Sequence, residues 1–147
     1  NFKYCINQKM EKSLSKEFEV NSSQLKEIRQ FIRDFTKSSN LLKDCQEDIA
    51  LAVTEACQNI IKHAYKDRLP TTDKIKIEIN LSSKQIIINI FDRGISVVPK
   101  NIKPRKLDDI KPGGLGTFFI GQIMDEVNFV TNKKENWVNH LRLVKNI

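Results

Sequence analysis

The sequence predicts an α+β fold: a two-layer α/β sandwich with a mostly antiparallel sheet and helices on one face. Three observations predict it. Two runs of alternating isoleucines, Ile75/Ile77/Ile79/Leu81 and Ile86/Ile88/Ile90, are joined by Ser82-Ser83-Lys84, which reads as an antiparallel hairpin. Ile49, Val53, Ala56, Ile60 and Ala64 are spaced 4, 3, 4 and 4 apart, which lays an apolar stripe along one helix face. The elements run strand, helix, helix, hairpin, loop, helix, hairpin, an order that places helices against one side of a sheet instead of alternating them with parallel strands.

Taken in order, residues 13–20 alternate partly and read as a strand ending at Asn21. Asn21 followed by Gln24 resembles a capping box, and Leu25, Ile28, Ile32 and Phe35 recur at helical spacing until Ser38-Ser39-Asn40 breaks the pattern. The clearest helix is expected from Leu42 to Lys66, ending in a polar loop at residues 68–73. Ile87 and Phe91 add apolar side chains to the second face of the second hairpin strand, which places that strand inside the sheet with Asp92 at its end. Residues 95–112, with Pro104 and Pro112 around a charged stretch, read as a long mobile loop. A helix over Thr117–Asp125 and strands over residues 127–131 and 137–144 complete the chain.

At 147 residues, with 39% hydrophobic and 29% charged, the chain fits one domain over residues 1–147. No stretch approaches the roughly 20 apolar residues of a membrane span, and Asn1-Phe2-Lys3 leads into no apolar signal-peptide core, so a cytoplasmic protein without a membrane partner is expected. Cys5, Cys45 and Cys57 include no C-x-x-C pair, which indicates neither a disulfide framework nor a zinc cage; Cys57 reads as a buried, unreactive thiol. The net charge of +7 is spread from Lys3 to Lys145 without clustering, which argues for a lysine-rich solvated surface and against direct nucleic-acid binding.

Three motifs carry chemistry. Glu55 and Asn59 stand four residues apart, about 40° around a helix, at the border of the apolar stripe. A carboxylate can accept a proton and a carboxamide oxygen suits Mg²⁺, although the pair alone reads equally as a solvated polar edge. Asp92-Arg93-Gly94 ends a strand, where a carboxylate can accept a hydrogen bond from an exocyclic amine and glycine permits close backbone approach; a plain turn uses the same residues. Gly113-Gly114-Leu115-Gly116 leads into a helix, where free amides at the positive end of the dipole can surround phosphate oxygens or the glycines can form a hinge. It is neither a Walker A loop nor a complete G-x-G-x-x-G fingerprint.

The order Thr54-Glu55-Ala56-Cys57-Gln58-Asn59-Ile60-Ile61-Lys62-His63-Ala64-Tyr65, Asp92-x-Gly94, and Gly113-Gly114-Leu115-Gly116-Thr117-Phe118-Phe119-Ile120 followed by Met124-Asp125-Glu126-Val127 resembles the GHKL (Bergerat) ATPase superfamily. Within it, the chain is most similar to the anti-sigma-factor serine/threonine kinases of the RsbW and SpoIIAB type, over essentially its whole length. The resemblance implies ATP and Mg²⁺ as cofactors, Glu55 as general base and Asn59 as the Mg²⁺ ligand. Asp92 would bind the adenine amine, Gly94 would let the base approach, Gly113, Gly114, Leu115, Gly116 and Thr117 would hold the phosphates, and residues 95–112 would form a lid. It further implies a homodimer with a sigma factor and a STAS-type anti-anti-sigma protein as partners. His63 is expected to pack at the helix edge. Relatives carry an arginine on the first helix where Leu25 stands here, beside Lys26 and Arg29, and Ser96 replaces a second glycine; Arg93 and Arg105 read as solvated surface.

Two other classes remain open on the residues alone. One is a nucleotide-sensing binding module that sequesters a partner without phosphorylating it. The other is a sensor histidine kinase catalytic domain, but His63 lies inside the nucleotide motif and His140 in a terminal strand, so neither suits a phosphoacceptor.

Overall fold

The computed structural model describes residues 10–97, 115–131 and 136–147. Eight principal elements follow in chain order: β1 (Met10–Glu19), α1 (Leu25–Lys37), α2 (Gln46–Asn59), β2 (Lys74–Ser82), β3 (Gln85–Asp92), α3 (Leu115–Ile123), β4 (Glu126–Phe129) and β5 (Asn139–Asn146). The strands form one five-stranded sheet in the order β1-β2-β3-β5-β4, and every neighbouring pair is antiparallel. The expected fold class is observed.

The hairpin register explains why the isoleucines specify the sheet. Ile77 faces Ile90, Ile79 faces Ile88 and Leu81 faces Ile86 across β2 and β3, so the period-2 rows fall on one face. All six are at most 1% exposed. Burying a side chain of this size contributes roughly 1.5–3 kcal/mol, so this patch is a main stabilising feature of the layer. β3 lies between β2 and β5, inside the sheet as its two apolar faces require.

The helices cover that isoleucine face. α1 buries Ile28, Ile32 and Phe35, and α2 buries Ile49, Val53, Ala56 and Cys57. Arg33 joins the two helices by donating Nε to Glu47 Oε1 at 3.1 Å and a terminal nitrogen to Oε2 at 2.9 Å. α3 packs against α2, and Lys145 Nζ donates to the carbonyl of Ile123 at 2.9 Å, satisfying one orphan acceptor at the C-terminus of α3.

Several boundaries differ from expectation for identifiable reasons. The single helix expected over residues 42–66 is divided. Ser39 caps a short 3₁₀ turn at Asn40–Leu42, α2 starts only at Gln46, and beyond Asn59 the chain widens into a π-helical turn, Ile60–Ala64. At Asn21 only half of the capping box forms. Its side chain accepts from Ser23 N at 3.0 Å, but its own amide donates to the carbonyl of Glu19, which removes the donor that Gln24 would have met. α3 begins at Leu115, two residues before the expected start, and β4 and β5 lie at Glu126–Phe129 and Asn139–Asn146.

Candidate functional site

Glu55 and Asn59 both lie half-buried on α2, Asn59 as its last residue, at the border of the buried stripe as their spacing implies. Between them Cys57 is fully buried, and desolvation, with the nearby Asp92 carboxylate, pushes its thiol up to about 12. The thiol is therefore protonated and unreactive, as expected.

The π-helical turn after Asn59 gives the rest of the motif a structural purpose. Tyr65 N closes the wide turn on the carbonyl of Ile60 at 3.2 Å, and the carbonyl of Ala64 accepts Ile95 N at 2.7 Å. The Tyr65 ring is buried. Its hydroxyl accepts Arg93 N and donates to Asp73 Oδ2, both at 3.1 Å, and burial is the main cause holding that hydroxyl above the usual phenol range. His63 is exposed on this turn, which overturns the expected packing role; widening the helix presents Ala64 and Tyr65 to the core and His63 to solvent.

Asp92 ends β3 and is 2% exposed. Its Oδ1 accepts Gly94 N and Asn139 Nδ2, each at 2.9 Å. Burial raises the Asp92 carboxyl above the ordinary carboxylate range, while those two donors and Arg68 pull it back. Oδ2 takes no bond from the described residues.

The close approach that Gly94 permits here is to the helix: a Cβ at this position would lie 2.5 Å from the carbonyl oxygen of Ala64 and 2.7 Å from its Cβ. The root of the expected mobile loop is tied down as well. Ile95 donates to Ala64 and accepts from Asn139, and Val97 N donates to Asn139 Oδ1 at 2.8 Å. Residues 98–112 lie outside the described residues.

Asn139 was invisible to motif reading, yet a signal existed. Leu141 and Leu143 belong to the inward row of β5, and Asn139 is the polar member of that row, directly opposite Asp92 in register. A polar residue in an apolar row needs internal partners. Arg93, expected as solvated surface, instead donates Nε to the carbonyl of Asn136 at 3.2 Å and stacks its guanidinium 3.9 Å from the Trp137 ring centre. The aromatic face and the free carbonyl together hold it.

Of the glycine segment, Gly113 and Gly114 lie outside the described residues, as does Arg105. Leu115, Gly116 and Thr117 form the first turn of α3, not a loop before it. On α1, Leu25 is half-buried against the core while Lys26 and Arg29 are exposed. An open cleft of about 610 Å³, bounded by Glu19, Ile61, Leu69, Pro70 and Lys74 among others, contains none of the expected site residues.

With this geometry in view, the sequence profile of the histidine kinase-like ATPase domain matches residues 18–145. The chain belongs to that family. Among individual relatives, serine-protein kinase RsbW of Bacillus thuringiensis (strain Al Hakam) is 29% identical over 92 residues, covering 57% of this chain and 56% of that protein. RsbW of Bacillus anthracis (strain CDC 684 / NRRL 3495) is 28% identical over the same length and shares. The matched region thus spans little more than half the length of these relatives. As a histidine kinase-like ATPase domain, the chain offers a buried carboxylate whose Oδ2 accepts no bond from the described residues, a helix edge bearing Glu55 and Asn59, and a helix start at Leu115. Among the described residues, no helix is long and apolar enough to cross a membrane.

Proposed function

We propose that this histidine kinase-like ATPase domain is an ATP-dependent serine/threonine protein kinase that acts as an anti-sigma factor, holding a sigma factor and phosphorylating a STAS-type anti-anti-sigma partner. The observation that carries the nucleotide reading is Asp92. Its Oδ1 accepts from two donors while Oδ2 accepts no bond from the described residues, so in this reading Oδ2 would be the acceptor for a ligand amine such as the adenine 6-amino group. The similarity to serine-protein kinases named RsbW supports the choice of hydroxyl acceptor.

In this reading Asn59 would hold Mg²⁺ through its carboxamide oxygen, a donor type that suits that hard cation. Bound Mg²⁺ supplies neutralisation of phosphate charge. Glu55 takes the proton as the substrate hydroxyl attacks the γ-phosphorus, the oxygen–phosphorus bond forms, and ADP leaves. Gly113, Gly114 and Gly116, with Leu115 and Thr117, position the phosphates through backbone amides.

The reading is tested by incubating the chain with radiolabelled ATP and candidate STAS-type proteins. Glu55→Ala should retain ATP binding and lose phosphoprotein by roughly 10²–10⁴-fold, the usual contribution of a general base. Asp92→Asn should weaken binding itself. Equal phosphorylation by Glu55→Ala and the wild type removes the catalytic assignment. ATP binding without any phosphoprotein favours the sequestering module instead.

A further inference from the structure

The Asn139 carboxamide is 7% exposed in an otherwise apolar row, and all of its bonding directions converge on one segment. Nδ2 donates to Asp92 Oδ1 and to the carbonyl of Ile95, both at 2.9 Å, while Oδ1 accepts Val97 N at 2.8 Å. The orientation follows from the partners. A flipped amide would set its oxygen against two oxygens and its nitrogen against an N–H. The side chain thus behaves as an inserted peptide group, pairing with residues 95–97 as a strand would while also gripping the carboxylate of Asp92, three residues before Ile95.

We propose that Asn139 is a positioning residue that sets the base preference of the nucleotide site and couples occupancy of Asp92 to the order of residues 95–97. This rests on the nucleotide reading of Asp92. The Asn139 donor fixes which carboxylate oxygen is occupied and which is presented. The same carboxamide holds both backbone groups at the root of the following segment. A ligand that steadies Asp92 therefore steadies Val97, and the coupling is reciprocal.

Two substitutions in the full chain separate these roles. Asn139→Asp keeps the shape and the acceptor for Val97 N but replaces both donors with oxygen. Two carboxyls at the present 2.9 Å contact would share a proton held in the Oδ1 contact, which removes the fixed donor that orients Asp92 and changes the charge Oδ2 offers the base. Asn139→Leu keeps the approximate size and removes every bond. The probes are ATP and GTP binding by calorimetry and the exchange rate of the Val97 amide by hydrogen exchange.

The wild type should prefer ATP over GTP and show slower Val97 exchange with ATP bound. Both variants should lose roughly ten- to a hundredfold in ATP affinity, the range for one charge-assisted hydrogen bond, with a smaller ATP-to-GTP ratio. Val97 protection should survive in Asn139→Asp without responding to ATP, and disappear in Asn139→Leu. A variant that melts cooperatively yet keeps the wild-type ratio and the ATP response at Val97 overturns the proposal alone. A wild-type chain that binds no ATP overturns the nucleotide reading and, with it, the proposal.

Discussion

Replacing Gly94 by alanine is the sharpest probe of how the candidate site is built, because the added methyl has a defined obstacle. It would lie 2.5 Å from the Ala64 carbonyl oxygen and 2.7 Å from the Ala64 Cβ, distances that real Cβ contacts do not reach. The obstacle includes main chain at the end of the π-helical turn, so no flexible side-chain tip can swing aside. The turn and helix end must separate, which stretches the 2.7 Å bond from Ile95 N to that same carbonyl. Overpacking a tight contact costs about 1–3 kcal/mol, and a weakened backbone hydrogen bond adds about 1 kcal/mol. The expected loss is therefore about 2–4 kcal/mol, a large share of the ~5–15 kcal/mol that holds a typical domain together. For a chain of this size the melting temperature should fall by roughly 4–16 °C. Thermal melts and urea unfolding, followed by ATP titration below the transition, provide the assay. A melting temperature within 2 °C of wild type, with ATP affinity unchanged, would refute the claim that glycine is required there by contact with the helix.

Three further outcomes follow from the same contacts. Tyr65→Phe removes the hydroxyl that accepts Arg93 N and donates to Asp73, so urea unfolding should show a loss of about 1–3 kcal/mol, the cost of leaving a buried polar group unpaired. Ile88→Ala, at a position with 0% exposure, should cost about 2–5 kcal/mol by the same measurement. Cys57 yields a pH prediction: its folded value, about 12, lies above the ordinary 9.0, so the folded state binds the extra proton and stability is lost as pH rises above about 9. The loss approaches about 1.4 kcal/mol per pH unit in that window, and Cys57→Ala should have a flatter stability profile between pH 9 and 10; parallel profiles would contradict the burial argument.

How much of this was legible in the sequence depends on the range of the interaction concerned. The isoleucine alternation specified the β2–β3 register because burial of one face penalises a one-residue slip at every side chain. The stripe on α2 was legible for the same reason. The π-helical turn was not, since the apolar spacing from Ala56 through Ile60 to Ala64 is compatible with ordinary helix; the widening emerges only when Ala64 and Tyr65 meet the turn after β3. Gly94 was recognised as a point of close approach, but its observed neighbour is Ala64, a contact across 30 positions that no local pattern encodes. Arg93 was misread because the Trp137 ring that holds it is also remote in sequence.

The placement of the expected residues divides the site into scaffold and chemistry. Asp92 and Gly94 are held from both sides, by Ala64 and Tyr65 from the helix end and by Asn139 of β5 and the amide of Val138 just before it. Substitutions there disturb stability and recognition together, because the groups that would read a ligand also close the fold. Glu55 stands differently, half-buried on the regular part of α2, outside the hydrogen-bonded cluster around Asp92. A change confined to its carboxyl, Glu55→Gln, should therefore leave melting within about 0.5 kcal/mol of wild type, as for substitutions away from structural networks, while abolishing phosphoryl transfer. Loss of transfer in Asp92 variants is ambiguous between binding and chemistry. Loss of transfer in Glu55→Gln, with ATP affinity and melting intact, isolates the chemical step, so that variant decides between a kinase and a module that only binds nucleotide.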